Sequence, residues 1–143
     1  MLTATARVLT AHGASDSAGI SNVGYVQGMN VLLAPILYVM PSELDAFTCF
    51  TALLAKHCPR YILANLEGVH AGCALSEACL EVLDPALHTH LSQRVQLQME
   101  IFMFQYVLTL FANMSQLDQV LRVWDALFAF GVHFNCVLGM LSW

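Results

Sequence analysis

A glutamine between two glycines is the group in this chain whose type and position could do chemistry. Gln27 lies in the segment Gly24-Tyr25-Val26-Gln27-Gly28-Met29-Asn30, and an apolar stretch, residues 31–40, follows at once. Glycine leaves the backbone bare, so another molecule can approach closely. A helix that begins here would present free N–H groups and the positive end of its dipole to an anion. Gln27 could therefore orient a water molecule beside a phosphate. The alternative is a buried glutamine that caps its own helix, since most such polar residues are structural.

The elements that must position Gln27 are predicted to be helices. The helix after Gln27 should run to about Met40 and bend at Pro35, which lacks an N–H group and crowds the preceding turn. Upstream, residues 2–11 are predicted as a short helix and residues 13–24 as a loop. Further helices are predicted to begin at Ser42, which forms a capping box with Asp45, at Glu67, at Asp84 followed by Pro85, and at Ser115. The predicted ends lie before Pro59, at Leu83 and at Gly131.

Apolar side chains at helical spacing indicate which face of each helix is buried. The predicted stripes are Leu44, Phe47, Thr51 and Leu54; Val69, Cys73, Leu80 and Leu83; Leu97, Ile101, Phe104, Leu108 and Phe111; and Leu117, Val120, Leu121, Trp124, Leu127 and Phe128. Trp124 is expected in the core because it lies inside such a stripe. Arg122 and Asp125 share a helix face, so an ion pair between them is expected. No long segment has the period of a strand, and the predicted fold class is all-α.

The composition leaves few charged side chains to cover the surface. Of 143 residues, 58% are hydrophobic and 10% are charged, against roughly a quarter charged in soluble domains. The apolar run at residues 31–40 is shorter than the roughly 20 residues of a membrane span, so no transmembrane segment is expected. Neighbouring segments or molecules are expected to cover the apolar surface instead.

Charge and cysteine usage exclude several other classes of function. The net charge is −5 and Lys56 is the single lysine, so the basic surface that nucleic acid requires is not expected. A lysine-containing phosphate loop is absent from the sequence, and no cofactor is predicted. The five cysteines form no Cys-x-x-Cys pair, which indicates buried free thiols in a reducing compartment. The usual spacings of zinc ligands are missing, and no metal site is predicted.

Two segments of this chain resemble motifs of the TBC domain, the helical domain of Rab-type GTPase-activating proteins (GAPs). Tyr25-Val26-Gln27-Gly28-Met29-Asn30 is similar to the second signature motif, and Val120-Leu121-Arg122-Val123-Trp124-Asp125-Ala126-Leu127-Phe128 lies where the third is expected. Residues 30–47, 57–59, 66–70 and 107–110 are similar to the fungal mitotic-exit and spindle-checkpoint GAP subunit of the Bub-two type. The resemblance runs from Arg7 onward, and residues 1–143 are interpreted as one partial TBC domain.

The resemblance implies a mechanism in which the GAP supplies two residues in trans, a glutamine and an arginine. Gln27 matches the glutamine and is the predicted catalytic residue. The arginine belongs to an Ile-x-x-Asp-x-x-Arg motif, which this sequence does not contain. Arg7 is not a substitute, because no aspartate stands three residues before it. The segment with that motif and the last helices of the domain are expected to lie outside this chain.

The other matched residues are expected to support Gln27 or to contact the GTPase. Tyr25, Gly28 and Asn30 belong to the second motif and are expected to shape the loop around the glutamine. Trp124 and Asp125 belong to the third motif and are expected to hold the supporting helices.

By this resemblance, the chain is predicted to be part of a protein that stimulates GTP hydrolysis by a Ras- or Rab-like small GTPase in mitotic exit. It would regulate that enzyme without being a hydrolase itself. The expected partners are the GTPase and a second GAP subunit, in the cytoplasm at the spindle pole body. Two alternatives stay open: a TBC-type scaffold that binds both partners without catalysis, and an unrelated buried-helix or membrane-associated protein.

Overall fold

The computed structural model describes residues 25–63 and 65–140, and every regular element within these ranges is helical. The α-helices are α1 (Met29–Val39), α2 (Glu43–Ala52), α3 (Glu67–Leu83), α4 (Pro85–Thr89), α5 (Met99–Thr109), α6 (Leu117–Phe130) and α7 (Asn135–Met140). A π-helical turn continues α2 over Leu53–His57 and another continues α4 over His90–Val95, while 3₁₀ turns occupy Pro59–Ile62 and Val132–Phe134. The all-α prediction is confirmed. The predicted helix at residues 2–11 and loop at residues 13–24 lie outside the described ranges.

The chain forms two compact units, the first ending at Gly68 and the second beginning at Val69. In the first unit α1 contacts α2. The buried apolar side chains of α1, α2 and the π turn are Met29, Leu32, Leu33, Pro35, Ile36, Ala46, Phe50, Leu53 and Leu54. The stripe predicted for α2 is wrong at Leu44, which is 73% exposed. Ala46 and Phe50 lie on a second helical face, and it is this face that is buried.

In the second unit the core is formed by α3, α5, α6 and α7. Its buried apolar side chains include Val69, Cys73, Leu80, Met99, Met103, Val107, Leu108, Val120, Trp124, Leu127 and Cys136. Three residues of the predicted stripes are exposed instead, Leu83 at 71%, Ile101 at 69% and Phe128 at 49%.

The error on α5 has an identifiable cause. Apolar residues surround this helix, so more than one face fits the helical period. The buried face is the one that packs against Gly72 of α3, where an added Cβ would lie 2.6 Å from Val107 Cγ1. The bare glycine backbone allows this approach, and Ile101 is left in solvent as a result.

The predicted helix caps are confirmed at two of three positions. Asp45 donates its N–H to Ser42 Oγ at 3.2 Å, and the Ser42 hydroxyl donates to Asp45 Oδ2 at 2.6 Å. At α4, Asp84 Oδ1 accepts the N–H of Leu87 at 2.9 Å. The cap predicted at Ser115 is wrong, because the N-cap of α6 is Gln116, whose side chain does not cap the helix.

The predicted ion pair on α6 is also wrong. The ion pairs within residues 25–63 and 65–140 are Arg60–Glu67 at 3.0 Å, His88–Glu77 at 3.8 Å and His70–Glu100. Arg122 and Asp125 are therefore not bonded to each other. The Asn65 amide and the Arg60 guanidinium hold the pKa of Glu67 below its ordinary value. The Arg60–Glu67 and His70–Glu100 pairs face solvent, so each contributes little to stability, while the His88 side chain of the third pair is partly buried.

The five cysteines are free thiols, as predicted, and burial is confirmed for Cys58, Cys73 and Cys136, whereas Cys49 and Cys79 are only partly buried. Loss of hydration on burial raises the pKa of Cys58 to about 12. This thiol is therefore protonated and unreactive at neutral pH. The described residues contain no cluster of three or more His, Cys, Asp or Glu side chains that could hold a metal ion.

Across residues 25–63 and 65–140, none of the helices has both the length and the apolar character that a membrane crossing requires.

Candidate functional site

The turn that carries Gln27 is fixed by the backbone on both sides. The C=O of Val26 accepts the N–H of Met29 at 3.2 Å, which closes a turn with Gln27 and Gly28 at its centre. Gly28 has φ 101° and ψ −19°, values that suit the second central position of a type II turn. A positive φ there favours glycine, because other residues have a Cβ that crowds the backbone. Gly28 therefore determines which way the turn presents Gln27.

The same glycine also starts α1. Its C=O accepts the N–H groups of Val31 at 3.0 Å and Leu32 at 3.1 Å, which are the first hydrogen bonds of the helix. Turn and helix are thus joined at one residue, and Gln27 lies immediately before the N-terminus of α1.

The Gln27 side chain takes no part in holding this arrangement. It is exposed, and α1 begins at an N-cap, Gly28, with no capping side chain. None of the residues in 25–63 and 65–140 forms a hydrogen bond with the Gln27 amide. The alternative of a buried glutamine that caps its own helix is therefore not what the structure shows.

A hydrogen bond between two other motif residues spans the turn. The Tyr25 hydroxyl donates to Asn30 Oδ1 at 3.1 Å. The bond links the chain before the turn to the first turn of α1, with Gln27 and Gly28 between its ends. The structure therefore brings together all four residues that the sequence singled out in this segment.

The segment that contains the turn and α1 carries no charged side chain. The first turn of α1 contains no acidic residue, and no charged residue occurs between Tyr25 and Ser42. The partial positive charge of the helix N-terminus is therefore not offset by a carboxylate of the same segment. This potential favours a partner that brings negative charge to Gln27.

The residues of the other matched segment lie in the second unit, on α6. Trp124 is 4% exposed, and its indole N–H donates to the C=O of Leu110 at 2.7 Å. Leu110 ends α5 with φ 48°, and the next residue, Phe111, has φ 64°. A left-handed conformation costs a non-glycine residue about 1–2 kcal/mol, so two in succession need support. Trp124 supplies it by attaching α6 to the strained end of α5.

Asp125 follows Trp124 on the same helix but has a different environment. Its side chain is exposed, while the Trp124 ring faces the core and meets Phe128 edge-on with centroids 5.6 Å apart. Trp124 thus links α6 to the end of α5, whereas Asp125 is exposed to solvent. The role expected for both residues, to hold the helices that support Gln27, stays a prediction.

Sequence reasoning missed Leu110, the acceptor on which the Trp124 indole depends. Glycine or asparagine at such a position would have indicated a left-handed helix end. A leucine gives no such signal, because its role is played by the backbone carbonyl alone.

Comparison with models of known protein families identifies the family of this chain. The model of the Rab-GTPase-TBC domain matches residues 7–143. The chain therefore belongs to the Rab-GTPase-TBC domain family. This excludes the alternative of an unrelated helical protein.

Two of the most similar curated relatives come from yeasts. Cell division control protein 16 of Schizosaccharomyces pombe is 46% identical over 119 residues, which cover 82% of this chain and 40% of that protein. Mitotic check point protein BUB2 of Saccharomyces cerevisiae is 45% identical over 111 residues, 78% of this chain and 36% of that protein. The similarity to the fungal mitotic-exit branch is confirmed.

A more distant relative is TBC1 domain family member 10B of Mus musculus, 33% identical over 109 residues, which cover 76% of this chain and 13% of that protein. The chain spans about two fifths or less of the length of each of these three relatives. No solved structure matches the chain.

Proposed function

We propose that this chain is part of a GTPase-activating protein that stimulates GTP hydrolysis by a Ras- or Rab-like small GTPase in the control of mitotic exit. Membership of the Rab-GTPase-TBC family supports the activity. The names of the two yeast relatives, a cell division control protein and a mitotic check point protein, support the process. By the same similarity, the proposed partners are the GTPase and a second GAP subunit, and the proposed location is the spindle pole body.

The catalytic role proposed for Gln27 rests on one observation. A turn with a fixed backbone presents a side chain that is exposed and forms no hydrogen bond with residues 25–63 or 65–140. GTP hydrolysis needs a positioned water and compensation for the charge that develops on the phosphates. A free amide has both an acceptor for the water and donors for an oxyanion. A turn with a preorganised backbone and a side-chain amide that is available for hydrogen bonds suits the positioning of the water.

The second task, charge compensation, is assigned to an arginine that this sequence does not supply. No Ile-x-x-Asp-x-x-Arg occurs in it, so we propose that the arginine comes from another part of the full-length protein or from the partner subunit. An arginine finger contributes about 10³–10⁵ to the rate. Residues 1–143 alone should therefore stimulate hydrolysis very little.

The test is Gln27→Ala in the full-length protein. We expect the single-turnover rate of GTP hydrolysis at saturating activator to fall about 10²–10³-fold, as when one preorganised donor is removed from an active site. Binding to the GTPase loaded with a non-hydrolysable GTP analogue should change little, because Gln27 acts mainly in the transition state. The melting temperature should also be unchanged.

Gln98→Ala is the matched control. Gln98 is the N-cap residue of α5, and like Gln27 it is exposed and its side chain does not cap the helix. It should leave the rate unaltered. Equal rates for Gln27→Ala and the unsubstituted protein, with binding retained, would reject the catalytic proposal in favour of the non-catalytic scaffold.

A further inference from the structure

We draw no further inference here: the strongest candidate, the exposed apolar surface patch that Ala34, Leu37 and Tyr38 form on α1, carries no proposal because nothing in the structure shows what covers it.

Discussion

Hydrogen bonds define both the turn at Gln27 and the contact made by Trp124, but the matched side chain has a different part in each. At Trp124 the matched side chain is itself buried and bonded to a strained helix end. At Gln27 the neighbours are bonded to each other, and the matched side chain is exposed and has no hydrogen-bond partner in the described part of the chain. One segment uses its side chain to maintain the fold, and the other uses the fold to present a side chain. Substitutions should therefore separate stability from activity.

The largest effect on stability is expected for Trp124→Ala. The change removes a large buried ring, leaves a cavity, and removes the hydrogen-bond donor for the carbonyl of Leu110. Such truncations cost about 3–5 kcal/mol, and urea unfolding of the full-length protein measures the loss. Trp124→Phe keeps most of the ring but loses the N–H donor, and should cost about 1–3 kcal/mol. An unchanged free energy of unfolding for Trp124→Ala would show that the indole is not the support we describe.

A smaller loss of stability, combined with a loss of activity, is expected for Gly28→Ala. Alanine at φ 101° is strained by about 1–2 kcal/mol, and relief of the strain would turn Gln27 away from its present direction. Both the melting temperature and the saturated hydrolysis rate should fall. Gly131→Ala at the end of α6 has the same φ of 101°, so it should lower the melting temperature and spare the rate. If Gly28→Ala kept full activity, as Gly131→Ala is expected to, the turn would not be what positions Gln27.

The smallest effect is expected for Tyr25→Phe, which removes only the hydroxyl that donates to Asn30. The bond is exposed and contributes about 0.5–1 kcal/mol at most. If all of that serves to hold the turn, the saturated rate falls by up to about 5-fold, with no measurable change in melting temperature. Tyr38→Phe removes a hydroxyl from an exposed tyrosine away from the turn and should leave the saturated rate unchanged. A loss as large as that of Gln27→Ala would instead assign Tyr25 a direct part in the reaction.

The helix ends that were predicted correctly are those whose causes are local. Ser42, Asp84 and Gly131 act through a cap or a backbone conformation that one or two residues determine, so the sequence contains enough information. The buried face of α5 depends on packing against Gly72, which is distant in the chain. Because α5 is apolar on several sides, periodicity alone could not exclude Ile101.

The candidate site divides in the same way. The residue types around Gln27 identified the segment, and the apolar stretch after it correctly predicted a helix that begins there. The exposure of the Gln27 amide and the bond from Tyr25 to Asn30 depend on the folded geometry, which residue types do not specify. The burial of Trp124 was predicted from its apolar stripe, but its hydrogen bond to the carbonyl of Leu110 was not, because that backbone group is the same in every residue.

The Gln27 amide forms no hydrogen bond with the described residues, and this affects how such a protein can change over evolutionary time. Since no bond within the described fold depends on this side chain, selection for folding does not retain it. Under the catalytic role proposed above, selection for activity alone would preserve the glutamine. A single nucleotide change could then convert an activator into a stable, binding-competent protein without catalysis, with no compensating substitution elsewhere. Loss of the glutamine in a descendant would thus record a change of role and leave the architecture untouched.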